Sequence, residues 1–285
     1  MFAFLRVVAQ VAIPVFVVST MLNVGLTQRP TDILKYWRDW RFALRMLVAN
    51  FVLAPLVMFA LLQLATFDPA LRAGLFLYSL CAGAPFLIRL TQIARHGLAL
   101  GAAVMVMLVV GTVIYVPIVM PLTLSGISAS SGGIATTLIL QMLLPIAIGM
   151  LVVRAVPSIA GPVQPWVAKV GNYSLYVVIA ATLIGYFPNL LTTLDTGTVP
   201  IGLVFIVASF GIGYIMGGRR DELQDVGGLA TAQRNTAAAL VVAAENFTNP
   251  EVLVSITLVA TLGLVLLLII ARVLRRDSPV PAPTA

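Results

Sequence analysis

Leu229-Ala230-Thr231-Ala232-Gln233-Arg234-Asn235-Thr236-Ala237-Ala238-Ala239-Leu240 is the stretch on which the fold turns. It lies inside an apolar segment, 225–245, long enough to enter a bilayer, yet it holds Gln, Arg and Asn in a row. An arginine at the centre of a membrane helix costs about 2.5–3.5 kcal/mol on insertion scales. A water-filled cavity, freed backbone carbonyls, a counter-charge or a bound anion has to offset that cost. Gly227-Gly228 stands just before the polar cluster, so the helix is expected to break there. A second segment, 70–94, has the same design: Gly83-Ala84-Pro85 midway, then Arg89, Thr91 and Gln92. Two interrupted membrane helices point to a site near the midplane of a transporter.

Working outward, composition sets the class. Of the 285 residues 60% are hydrophobic and only 9% charged, with mean hydropathy +1.06. A soluble domain carries about 25% charged residues. This chain has too little polar surface for that, and is expected to be an all-α polytopic membrane protein. Apolar segments fall at 4–26, 42–65, 70–94, 98–124, 134–153, 167–187, 199–216, 225–245 and 250–271, nine crossings in all. About 20 helical residues span the roughly 30 Å hydrocarbon core.

The basic residues sort accordingly. Thirteen of the 17 Lys and Arg lie in or beside alternate loops: Arg29, Lys35, Arg38, Arg41, Arg45, Arg95, Arg154, Lys169, Arg219, Arg220, Arg272, Arg275 and Arg276. The opposite loops, 66–69, 125–133, 188–198 and 246–251, hold none. By the positive-inside rule the C-terminus is cytoplasmic and the N-terminus outside, in the cell (inner) membrane. The net charge of +7 therefore reads as a topology signal, not a nucleic-acid footprint. Trp37 and Trp40 fit an interfacial belt.

Enzyme chemistry finds no support. There is no His-Glu-x-x-His, no nucleophile elbow, no Cys-x-x-Cys and no paired intramembrane carboxylates. The Gly-Gly pairs lack a P-loop continuation, and no cofactor is implied. With one His and one Cys, neither a metal site nor a disulfide framework is expected. His96, beside Arg95, reads as a solvated loop residue.

Divided as segments one to four and five to nine, the chain places each broken helix last but one in its half. That 4+5 arrangement looks like an inverted five-helix repeat whose first helix is missing. Ser19 to Leu26 is similar to a Met-Gly-Leu helix end, and Leu143-Leu144-Pro145-Ile146-Ala147-Ile148-Gly149 to a Leu-Pro-x-x-x-Gly helix. Ile93-Ala94-Arg95-His96-Gly97-Leu98-Ala99-Leu100 and 230–240 are similar to the stretches at the two helix breaks of the same family. Together they resemble the bile acid:sodium symporter family over nearly the whole chain. The resemblance implies one membrane domain, 1–272, with a short cytoplasmic tail, 273–285. It implies a core, about 42–124 and 199–272, carrying two crossed broken helices, and a smaller panel, about 4–26 and 134–187, that rocks against it.

The departures from the family carry the functional reading. Aligned without gaps, the family's Ser-Asn sodium ligands fall on Leu87 and Ile88, and its hydroxyls on the next helix on Gly101 and Met105. Its Glu falls on Ala230 and its Gln on Arg234, while Asn50 and Asn235 keep their amides. Leu, Ile, Gly, Met and Ala offer no side-chain oxygen, and Arg is a donor only. Sodium is therefore not expected as the coupling ion. A guanidinium can take the place of the cation, satisfy unwound carbonyls and present its fork to an anion. The expected partners are the lipid bilayer and a small amphipathic organic anion, met by Arg234, Arg89, Gln233, Asn235, Thr91, Gln92 and Asn50. Arg234 and Arg89 are expected to face each other across the site. For Arg234 a staple on backbone carbonyls is the competing reading, and Asn50, Thr91 and Gln92 serve equally as interhelical hydrogen bonders. Two other functions stay open: a sodium symporter with ligands elsewhere, and a sensor or scaffold that moves no solute. Glu245 and His96 are the titratable groups nearest the site.

Overall fold

A computed structural model describes residues 2–28, 37–64, 66–124, 130–185, 187 and 196–275. Among them all regular structure is helical. The helices are α1 (Phe2–Thr27), α2 (Trp40–Leu61), α3 (Pro69–Leu80), α4 (Leu87–Ile93), α5 (Leu98–Thr123) and α6 (Ser131–Ala155). They continue as α7 (Pro157–Gly185), α8 (Thr198–Met216), α9 (Asp221–Ala232), α10 (Thr236–Asn246) and α11 (Pro250–Val273). Five of these, α2, α5, α6, α8 and α11, are long and apolar enough to cross a membrane. Parts of the expected loops, 29–36, 125–129 and 188–195, and the tail from 276 lie outside the described residues.

The helix starts follow local chemistry. Asp68 accepts from Ala70 N at 2.8 Å with Pro69 at the first helical position, and Asn249 accepts from Glu251 N at 3.0 Å with Pro250 likewise placed. Such caps satisfy donors that a helix N-terminus leaves over, and proline gives up none there. Segment six is longer than expected: α7 starts at Pro157, ten residues before 167, because Pro157 suits a first turn.

Two of the prolines inside long helices come with a widened turn. Pro55 and Pro145 each follow a π turn, Ala49–Leu53 in α2 and Ile139–Leu143 in α6. Proline lacks the N–H for its i−4 carbonyl and its ring crowds that carbonyl. Widening the preceding turn relieves the crowding: Ala54 N bonds Ala49 O, and Leu144 N bonds Ile139 O. Such π turns frequently mark functional places.

Glycines set the closest helix contacts. A Cβ on Gly25 of α1 would strike Ile146 O and Gly149 of α6, and one on Gly149 would strike Leu22 O. Gly213 of α8 and Gly227 of α9 stand equally close, each against the other's carbonyl. Small residues allow such backbone approach where lipid supplies no hydrophobic drive. One group of helices packs α1 on α7 and on the second half of α6; another packs α8 on α9 and α3 on α11. The broken helices lie in the second group, and the buried Ala237-Ala238-Ala239 run brings α10 close to its neighbours.

Candidate functional site

The two breaks meet backbone to backbone. The first runs from Cys81 to Phe86 and the second from Gln233 to Asn235. Asn235 N donates to Cys81 O at 2.9 Å, and Asn235 Nδ2 donates to Gly83 O at 2.8 Å. The same side chain caps α10, its Oδ1 accepting from Ala238 N at 3.0 Å. Gly83 has φ +81°, a conformation open to glycine, and a Cβ there would strike α5 at Val109 N. Thr112 of α5 steadies the first break. Its Oγ1 accepts from Ala82 N and donates to Ala82 O, both at 2.9 Å.

Arg234 is wholly enclosed, with 0% of its surface exposed. Its Nη1 donates to Asn50 Oδ1 at 2.9 Å and to Thr231 O at 3.2 Å. Its Nη2 donates to Asn50 O at 3.0 Å and to Ser79 O. The Phe205 ring centroid lies 5.9 Å from its Cζ, within cation–π reach.

Each carbonyl held by Arg234 has lost its helical donor. Ser79 O and Thr231 O belong to the last turns of α3 and α9, where no further N–H follows. Asn50 O would normally accept from Ala54 N, but the π turn sends that N–H to Ala49 O. The next donor would come from residue 55, which is proline. The two helix C-termini also carry partial negative charge, roughly half an electron each. The guanidinium thus supplies the hydrogen bonds and the positive charge that this junction of helix ends needs.

Asn50 is aimed by its own bonds. Its Nδ2 donates to Met46 O at 2.9 Å and to Thr231 Oγ1 at 3.1 Å, which leaves Oδ1 for Arg234. Thr231 Oγ1 in turn donates to Gly227 O at 2.9 Å. Gln233 is buried at the break, its backbone N–H on Leu229 O.

The other expected site residues lie apart from this knot. On α4 the buried face is Leu87, Leu90 and Thr91, spaced for one side of a helix, so Arg89 and Gln92 fall on the exposed side. Arg89 Nη1 donates to Gln92 Oε1 at 3.3 Å. Thr91 Oγ1 donates to Leu87 O at 2.8 Å, and Thr91 packs where a Cβ on Gly101 of α5 would stand. The expectation that the Arg89 and Arg234 side chains face each other in one cavity is therefore corrected: one is exposed and the other sealed.

Sequence reasoning missed several partners. His96 is not a solvated loop residue: its Nε2 lies 2.8 Å from Oδ2 of the fully buried Asp225. Gly97 N donates to Glu222 Oε1 at 3.1 Å, a second tie between the loop after α4 and the start of α9. An Asp inside an apolar segment was the available signal. Glu245 accepts from Thr137 and Gln141 of α6, and nothing in the sequence pairs residues so far apart.

Compared with known families, the chain matches the model of the SBF-like CPA transporter family over residues 4–218. The match covers most of the chain and stops short of α9 and α10, between which Arg234 lies. No curated protein matches it.

Proposed function

The chain belongs to the SBF-like CPA transporter family, and on that premise we propose that it is a secondary transporter of a small amphipathic organic anion that does not run on sodium. A membrane transporter of this type follows from the family. The observation that carries the finer reading is the Arg234 guanidinium, bonded to carbonyls of three helices where the two breaks meet. A fixed cation there satisfies the helix ends permanently. It cannot be exchanged with solution, so it draws no energy from an ion gradient. Facilitated movement, exchange or proton linkage remain as modes.

In this reading nine crossings form a 4+5 inverted repeat, with the C-terminus cytoplasmic and the N-terminus outside the cell membrane. The core is about 42–124 and 199–272 and the panel about 4–26 and 134–187; the packing of α1 on α6 and α7 supports the grouping. Arg89 and Gln92, on the open side of α4, meet the anion first. Arg234, Asn50, Gln233 and Asn235 hold the crossover in shape behind them and add positive potential, and Thr91 anchors α4 on α5. No catalytic role is assigned to any of these groups.

The test is counterflow of labelled taurocholate in sodium-free liposomes holding the purified chain. Flux without sodium is expected. A strict sodium requirement would indicate a sodium symporter with ligands elsewhere. No flux of taurocholate or of shorter apolar carboxylates and sulfonates would point to a sensor or scaffold.

A further inference from the structure

A cleft of about 770 Å³ opens where the loops 66–69 and 246–251, which hold no Lys or Arg, meet the ends of α2 and α5. Its size is that of a ligand site, about 300–1,000 Å³. Among the described residues none from α1, α6 or α7 lines it, and neither do the residues of the Arg234 knot. The floor is apolar and buried: Leu62, Phe76 and Val252. Phe59 and Leu122 also line the cleft and are exposed on the sides of α2 and α5, two helices long and apolar enough to cross a membrane. The apolar wall therefore runs on from the cleft onto surface that hydrocarbon covers, near the level at which those helices end.

One cation stands in this wall. Arg72, in the first turns of α3, lines the cleft and also a second hollow of about 650 Å³ bordered by Gln63 and Thr66. It is half-buried, and among the described residues its side chain makes no ion pair or hydrogen bond. Asp68 precedes it by four residues, the spacing at which opposite charges on a helix pair. These two do not pair. Asp68 Oδ1 accepts from Ala70 N at 2.8 Å, and Asp68 lines the same cleft.

An unpaired guanidinium at a membrane interface calls for an anion, and a phosphate diester meets its fork with two oxygens. Basic pockets between membrane helices take lipid headgroups in this way. An acyl chain covers Phe59 and Leu122, which a small soluble anion leaves bare. The neighbouring carboxylate opposes a free dianion but suits a headgroup that carries its own cation. The ammonium of phosphatidylethanolamine donates N–H to a carboxylate, as a lysine ammonium does. The quaternary ammonium of phosphatidylcholine has no N–H to give.

We propose that this cleft is a phospholipid site that takes phosphatidylethanolamine, its phosphate on Arg72, its ammonium on Asp68 and a chain along Phe59 and Leu122. The bound lipid joins the ends of α2, α3 and α5 to the loop before α11. The site is independent of the solute that the chain moves.

The test uses the full chain in nanodiscs of equal parts phosphatidylethanolamine, phosphatidylglycerol and phosphatidylcholine, with native mass spectrometry reading the lipids retained on release. One phosphatidylethanolamine is expected to stay bound about 10-fold more often than phosphatidylcholine, as for one charge-assisted hydrogen bond. R72Q is expected to lower that adduct about 10-fold. D68N, whose amide oxygen still caps α3, is expected to make the two lipids bind alike. Equal retention of all three lipids by wild type, or an adduct that R72Q leaves unchanged, marks ordinary boundary lipid and overturns the proposal. A preference for phosphatidylglycerol overturns the placing of an ammonium on Asp68. Taurocholate or inorganic phosphate retained with no lipid makes the cleft a site for soluble anions and overturns it as well. Should R72Q not fold, wild type decides with a phosphatidylethanolamine that carries a photoreactive acyl chain. Crosslinks to peptides holding Phe59 or Leu122 support the proposal, and crosslinks only elsewhere overturn it.

Discussion

The two helix breaks each come with an arginine, and the fold treats them in opposite ways. The first break offers acceptors: Ser79 O, Cys81 O and Gly83 O all receive bonds from the second. Its own arginine, Arg89, points away to an exposed face with Gln92. The second break offers donors, from Arg234 and from the Asn235 backbone and amide. Two arms that look alike in sequence are thus complementary in chemistry. The lesson is that an inverted pair of broken helices need not be electrostatically symmetric. One buried charge serves both arms, and the other arginine is left available for work at a surface.

The largest test of that asymmetry is Arg234→Ala. It strands the carbonyls of Asn50, Ser79 and Thr231 in a sealed space and removes the charge that faces two helix ends. A loss of about 3–5 kcal/mol is expected, as for breaking a buried charged pair, read as a large drop in melting temperature in detergent together with loss of flux. Arg234→Lys keeps the charge and loses the fork, so it is expected to recover only part of the stability. A stable, active Arg234→Ala protein would break the comparison.

Asn235→Ala comes next. It removes the bond to Gly83 O and the cap on α10, with an expected cost of about 2–3 kcal/mol in the same melting assay. Thr112→Val probes the other arm, where a hydroxyl rather than a charge does the holding. About 1–2 kcal/mol is expected, because Ala82 N and Ala82 O lose one neutral partner. A Thr112→Val loss as large as that of Arg234→Ala would show the arms to be equally dependent on side-chain support.

Arg89→Gln is expected to have the smallest effect on stability, within about 0.5 kcal/mol, since the side chain is exposed. Its effect belongs in transport: KM for taurocholate counterflow is expected to rise about 10-fold, as for loss of one charged contact. An unchanged KM would remove Arg89 from the proposed substrate path and leave the comparison purely structural.

The membrane class, the all-helical content and the existence of both breaks follow from the chain alone. They depend on local properties: runs of apolar residues, Gly and Pro that interrupt them, and polar residues too costly to leave in lipid. Asn50, Arg234 and Asn235 could be singled out for the same reason. That Arg234 meets freed carbonyls is among the readings the sequence allows; which carbonyls is not readable from it, because every residue has one. Only packing shows which carbonyls have lost their donors. The same holds for Asp225 beside His96 and for Glu245 beside Thr137 and Gln141, pairs more than 100 residues apart. It holds also for Arg89, whose neighbours on α4 decide which side is covered. Sequence determines the cost of placing a charge in the membrane; the tertiary structure decides which groups meet that cost, because hydrogen-bond partners are matched by distance in space, not by order along the chain.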